Sequence, residues 1–142
     1  MSAEADQLIE DFPHLLGSLT YIECGDGWVP LIRKLCEDIS RIQGNTKISV
    51  GQVKEKFGGL RFYLDATLNV EDENAMDQIH KLISKAESDS YHICERCGEA
   101  GKERNEGWIV TLCDKHHEER LERRKQQDIK YYKGLKPTRF DP

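Results

Sequence analysis

Between residues 94 and 117 the chain carries five potential metal ligands: Cys94 and Cys97, a gap of fifteen residues, then Cys113, His116 and His117. A Cys-x-x-Cys turn followed by Gly98 sets two thiolates on one knuckle, the glycine letting the backbone turn tightly beneath a bound ion. Two ligands from one turn leave a tetrahedron half built. The second pair stands where the chain enters a helix, so that positions i and i+3 or i+4 share one face and the helix N-terminus favours a thiolate's negative charge. His116 completes the commoner Cys-x-x-His pattern, while helix geometry alone keeps His117 as an alternative ligand. Three sulfurs and one imidazole suit Zn2+, and four protein ligands would leave no open position on it, the mark of a structural rather than a hydrolytic site.

The stretch between the two pairs, GKERNEGWIVTL, can form a short hairpin. The order knuckle, hairpin, helix resembles the treble-clef zinc fold. LCDKHH also resembles the end of an HNH nuclease motif, in which the last histidine, here His117, holds a catalytic divalent ion. That resemblance implies an Asp-His pair on the hairpin to activate water, because a metal nuclease needs a base as well as a cation. Here the corresponding residues are Gly107-Trp108-Ile109-Val110-Thr111, without a general base, so an HNH-like nuclease stands only as the alternative to a non-enzymatic role. No Gly-rich phosphate loop is present, the acids are scattered, and His14, His80 and His92 lack local partners.

Positioning the ligands requires a folded body. Leu8, Ile9, Phe12, Leu15 and Leu16 recur at helical spacing over residues 5–16, although Pro13 weakens the end. In GDGWVPLIRKLCEDISRI, Asp26 caps or turns the chain, and Pro30 suits a first helical turn. Val29, Ile32, Leu35, Cys36, Ile39 and Ile42 then form an apolar stripe up to Gly44. Cys36 lies on that stripe and Cys24 in the entry loop, both reading as small hydrophobes. KISVGQVKEKFGGLRFYLDAT reads as two strands turning at Gly58-Gly59, which would pair Phe57 with Leu60, Glu55 with Phe62 and Val53 with Leu64. Lys54, Lys56, Arg61 and Tyr63 would then share the opposite face. Asn69 and the acids Glu71, Asp72 and Glu73 open a further helix with Met76, Ile79, Leu82, Ile83 and Ala86 on its apolar side. The expected fold is α+β: helices on a small antiparallel sheet over residues 1–92, a treble-clef-like zinc module over 93–119, and a basic projecting helix and tail over 120–142.

The net charge of −5 conceals an asymmetry. Residues 120–139 hold eight bases, among them Arg120, Arg123, Arg124 and Lys125, against Glu122 and Asp128, whereas residues 1–119 hold thirteen bases against twenty-three acids. Cations crowded on one hairpin face or one tail repel each other unless something anionic answers them. The answer can come from the protein's own acids, such as Glu71, Asp72 and Glu73, from nucleotide or nucleic-acid phosphates, or from an acidic protein. Tyr63 could stack on a base. The C-terminal segment, with Tyr131, Tyr132, Leu135 and Phe140 among its bases, is adhesive enough to join homo-oligomers. The N-terminus has acids where a secretory signal needs bases, no apolar run is long enough to span a membrane, and the cysteine pattern suits a reducing compartment, so a cytoplasmic location is expected.

Taken together, GDGW, QVKEKFGGLRFY, CERCG and GWIVTLCDKH resemble a group of small proteins encoded by bacteria and their phages, over roughly residues 25–117. The resemblance implies an accessory or mobile-element product, a class that includes inhibitors of host defence and immunity partners of toxins. The expectation is a zinc-stabilised recognition or inhibitor protein that grips a negatively charged partner, with a nucleic-acid-binding regulator as a further alternative.

Overall fold

Trp28, with no exposed surface, is the largest side chain in the core, and burying its roughly 200 Å² contributes on the order of 5 kcal/mol as an upper bound. The structure is a computed structural model and describes residues 2–42, 48–65 and 72–134. It is α+β, in the order α1 (Ala3–Asp11), α2 (Pro13–Leu16), a 3₁₀ turn (Asp26–Trp28), α3 (Val29–Ile42), β1 (Val50–Lys56), β2 (Gly59–Leu64), α4 (Glu73–Ser90), β3 (Lys102–Arg104), β4 (Val110–Leu112) and α5 (Asp114–Gly134).

The stripe anticipated on α3 is buried at Val29, Ile32, Leu35, Cys36 and Ile39. It meets α4, which buries Ala75, Ile79, Ile83 and Ala86. α4 also lies along β2, α2 touches β1 and α1 packs on α3, so the helices cover one face of the hairpin. The expected N-terminal helix is two helices. Phe12 precedes Pro13 and sits outside the helical region at φ −126°, because a proline ring disfavours helical geometry in the residue before it. Ser2 caps α1 by accepting from the Ala5 amide, and Asp72 caps α4 by accepting from that of Ala75. Asn69 and Glu71, expected at the start of α4, and the tail from Leu135 onward, with Phe140, lie outside the described residues.

β1 and β2 pair antiparallel, but two residues out of the expected register: Val53 faces Phe62, Lys54 faces Arg61, Glu55 faces Leu60 and Lys56 faces Gly59. The turn is therefore Phe57-Gly58, with φ of 53° and 83°, close to the two positive values of a type I′ turn. Gly59 is the first residue of β2, and glycine is needed there because a Cβ would overlap the Tyr91 ring. A shift of two preserves the alternation of faces, so Val53, Leu60 and Phe62 still point to the core and Lys54, Lys56, Arg61 and Tyr63 still share the other side. Only Phe57 changes character, becoming an exposed turn residue. The segment around Glu23 extends the sheet edge: its amide donates to Val53 and its carbonyl accepts from Glu55. Among the described residues, no helix is long and apolar enough to cross a membrane.

Candidate metal centre

The knuckle begins as α4 ends. An isolated bridge pairs Ile93 with Ala100, the Cys94 amide donates to Glu99 at 2.7 Å, and the Gly98 amide returns to the Cys94 carbonyl at 2.9 Å. Gly98 takes φ 81°, left-handed backbone that a side chain would strain. β3 and β4 then form the second hairpin, pairing Lys102 with Leu112 and Arg104 with Val110. Arg104 fixes this hairpin to the helix that follows. Buried to 9 % exposure, its guanidinium donates to the Leu112 carbonyl and to Asp114 at 2.7 Å, and that contact holds the Asp114 carboxyl below its usual range.

Cys113 follows β4 directly and faces the first turn of α5, where its sulfur accepts from the His116 amide at 3.4 Å. Cys94, Cys97, Cys113 and His116 bring their ligand atoms within 4.8 Å of one another, a group that could hold a metal ion. The Cys113 sulfur lies 3.2 Å from His116 Nδ1, the Cys94 sulfur 3.6 Å from the same nitrogen, and the Cys97 and Cys113 sulfurs are 3.8 Å apart. Burial would raise the Cys94 thiol, yet the backbone amides of Cys113, Cys97 and Arg96 outweigh it and bring the group down to about 6. Cys97 goes the other way: the Glu99 amide pulls it down, but burial and the neighbouring sulfurs push it up further. Three thiolates so close would repel one another, and a cation at their centre would remove the conflict.

His117 is turned away from this group. Its Nε2 lies 3.0 Å from a Glu106 carboxylate oxygen, and its Nδ1 is buried with no hydrogen-bond partner among the described residues. The two histidines that sequence spacing leaves equivalent are thus separated by the loop between β3 and β4, which supplies Glu106. Cys24 and Cys36 also lie apart from the cluster, and burial pushes each thiol up to about 12.

The cluster is joined to the helical body by hydrogen bonds from both sides. Trp28 Nε1 donates to the Ile93 carbonyl at 2.9 Å, Gly27 donates to the Glu95 carbonyl at 2.7 Å, and Gly25 donates to the Glu95 carboxylate at 2.8 Å. At the other end of the module, the buried Thr111 hydroxyl donates to Gly58 at the tip of the first hairpin at 2.6 Å. The GDGW motif and the hairpin glycines are therefore the surfaces on which the knuckle and its hairpin rest. Glu95 and Thr111, which carry these contacts, lie within CERCG and GWIVTLCDKH, but neither motif announces the contact.

On the outer hairpin face the half-buried Lys54 and Arg61 are direct cross-strand partners, with the exposed Lys56 and Tyr63 beside them. The Tyr91 hydroxyl lies 3.2 Å from the Arg61 guanidinium, which donates to it. Among the described residues no carboxylate forms an ion pair with Lys54, Lys56 or Arg61. The bases of α5 divide. Arg120 donates to the Trp108 carbonyl and Arg124 to that of Glu106, clamping the loop between β3 and β4, whereas Arg123 and Lys125 are exposed without such contacts. No family model, curated protein or solved structure matches the chain.

Proposed function

We propose that the protein is a non-enzymatic recognition protein, of the accessory or inhibitor kind made by bacteria and phages, whose zinc ion folds the module and whose first hairpin grips a negatively charged partner. Zinc is supported by the donor set and by its spacing. Bonds of about 2.3 Å to sulfur and about 2.0 Å to nitrogen place tetrahedral ligands roughly 3.5 to 3.8 Å apart. The separations of 3.2, 3.6 and 3.8 Å lie close to that range. Cys94, Cys97, Cys113 and His116 would fill the coordination sphere, and the ion's work would be to hold the knuckle against α5.

The observation that carries the recognition role is the pairing of Lys54 with Arg61, two half-buried cations directly opposed on one sheet face, with the exposed Lys56 and Tyr63 alongside. Directly opposed like charges destabilise a sheet, so the arrangement favours an anionic partner over solvent. The acidic residues 1–119 repel a long polyanion, which makes an acidic patch on a protein the better fit than a nucleic-acid strand.

The test is recovery of the tagged full chain from its native host beside a Lys54→Glu/Arg61→Glu variant. Wild type should bring down one protein at fixed stoichiometry, and the variant should lose it while keeping its metal. Identical recovery by both would refute the hairpin role. Retention of an oligo(dT) probe that weakens steeply with salt would replace the acidic protein by nucleic acid. Mg2+-dependent plasmid nicking abolished by His117→Ala would replace recognition by catalysis.

A further inference from the structure

Between the knuckle and α5 lies a concavity of about 330 Å³ floored by Val110 and Leu112. Three guanidinium groups line it, those of Arg96 from the knuckle and of Arg120 and Arg123 from α5, with Glu95 the one carboxylate among its lining residues. Two of these four charged groups are anchored before any ligand arrives: Arg120 by the Trp108 carbonyl at 2.9 Å and Glu95 by the Gly25 amide at 2.8 Å. Arg96 and Arg123 form no ion pair among the described residues. Guanidinium groups present planar forks of donors that match the oxygens of an oxyanion, and several in one cleft suit a ligand carrying more than one negative charge.

The charges also limit the size of the ligand. Three cations and one anion leave the cavity near +2, which matches the charge of −1.5 to −2 of a phosphate monoester at neutral pH and exceeds the single charge of a phosphodiester. A second concavity shares Arg96 and Arg123 and is lined also by Glu119, Glu122 and Gln126, where acids would repel further phosphates and favour hydroxyl or amine groups instead. We propose that this groove binds a small phosphate monoester, its phosphate held by Arg96, Arg120 and Arg123 and its uncharged body against Val110 and Leu112. The site is separate from the hairpin face and does not depend on the partner proposed for it.

The experiment uses the full chain loaded with zinc. Arginine side-chain resonances are followed by NMR, and affinities by calorimetry, with inorganic phosphate, AMP, cyclic AMP and adenosine as probes. Phosphate and AMP should shift the Arg96, Arg120 and Arg123 signals, and AMP should bind at least about tenfold more tightly than cyclic AMP or adenosine. Arg96→Gln and Arg123→Gln, both exposed and outside the core, should each weaken AMP about tenfold, in line with losing a hydrogen bond between charged groups. Affinity should fall below about pH 6 as the phosphate takes its second proton. Lys54→Glu should leave AMP binding intact, so that failure of the hairpin role and failure of the groove are read separately. Absence of any shift with phosphate and AMP, equal binding of cyclic AMP, or an unaffected Arg123→Gln variant would overturn the proposal. Tighter binding of a phosphoserine peptide than of AMP would overturn the small-molecule assignment.

Discussion

Replacing Thr111 by valine tests whether the metal module and the helical body are one cooperative structure. Thr111 has no exposed surface, and its hydroxyl donates to the Gly58 carbonyl at 2.6 Å across the seam between the two hairpins. Valine keeps nearly the same shape, so packing survives while the buried carbonyl loses this donor, at a cost of about 1–3 kcal/mol. Unfolding entropy of roughly 2.1 cal/mol/K per residue makes each kcal/mol worth about 3 °C in a chain of 142 residues. Thr111→Val should therefore lower the melting temperature of the zinc-loaded protein by about 3–10 °C in one transition followed by circular dichroism. Thr111→Ser keeps the hydroxyl and gives up a methyl group, so it should cost about 1 kcal/mol or less. If valine melts with the wild type, or serine is the more damaging change, the seam bond does not couple the two parts and the reasoning fails.

Gly27→Ala would drive a Cβ into the Cys94 carbonyl oxygen, a backbone clash that no side-chain rotation relieves. It should destabilise by about 3 kcal/mol or more, seen as a large drop in melting temperature or loss of soluble protein, and a normal melt would refute the close approach. Apparent affinity for zinc should fall steadily as the pH is lowered, because protons compete with the ion for three thiols and one imidazole. The Cys94 thiol is lowered to about 6 in the fold, so its preference for the thiolate is complete above the unfolded value near 9 and is lost as pH falls through 6. A chromophoric chelator would report zinc release, and full retention at pH 4.5 would contradict the thiolate set. Deleting residues 126–142 should leave the melting temperature nearly unchanged, because Arg120 and Arg124, which clamp the loop between β3 and β4, precede the cut. A collapse of the fold would mean that the end of α5 is needed for stability.

Much of this was legible where one local rule governs the outcome. The stripe from Val29 to Ile39 gives α3 because helical period and burial agree, and Cys-x-x-Cys with Cys-x-x-His converge because a turn and a helix start each present two ligands on one side. The hairpin faces were legible, since alternation survives a shift of two, whereas its register was not. Two adjacent glycines suggest a turn at both, whereas Gly59 is a strand residue kept small by Tyr91, some thirty residues away, whose ring lies where a Cβ would be. The Cys-x-x-His pattern favours His116 over His117, as the cluster has it, but the contact of His117 with Glu106 in the loop between β3 and β4 could not be read from the pitch of the helix. Arg120 and Arg124 read as surface bases in sequence but serve the loop carbonyls, a role visible only once the helix lies beside that loop. The arginine groove has no sequence signal because its walls come from four separate segments, around Gly25, Arg96, Val110 and Arg120.

The union of GDGW with the knuckle also sets a timetable for synthesis. Gly25 and its acceptor Glu95 are separated by 70 residues, and translation at roughly 5–20 residues per second leaves several seconds between their appearances. During that interval the indole of Trp28 has no Ile93 carbonyl to meet, and the nascent chain exposes an unfinished nucleus to chaperones. Any ion held by the Cys94, Cys97, Cys113 and His116 group could be gripped only later still, once His116 has followed Glu95 out of the ribosome.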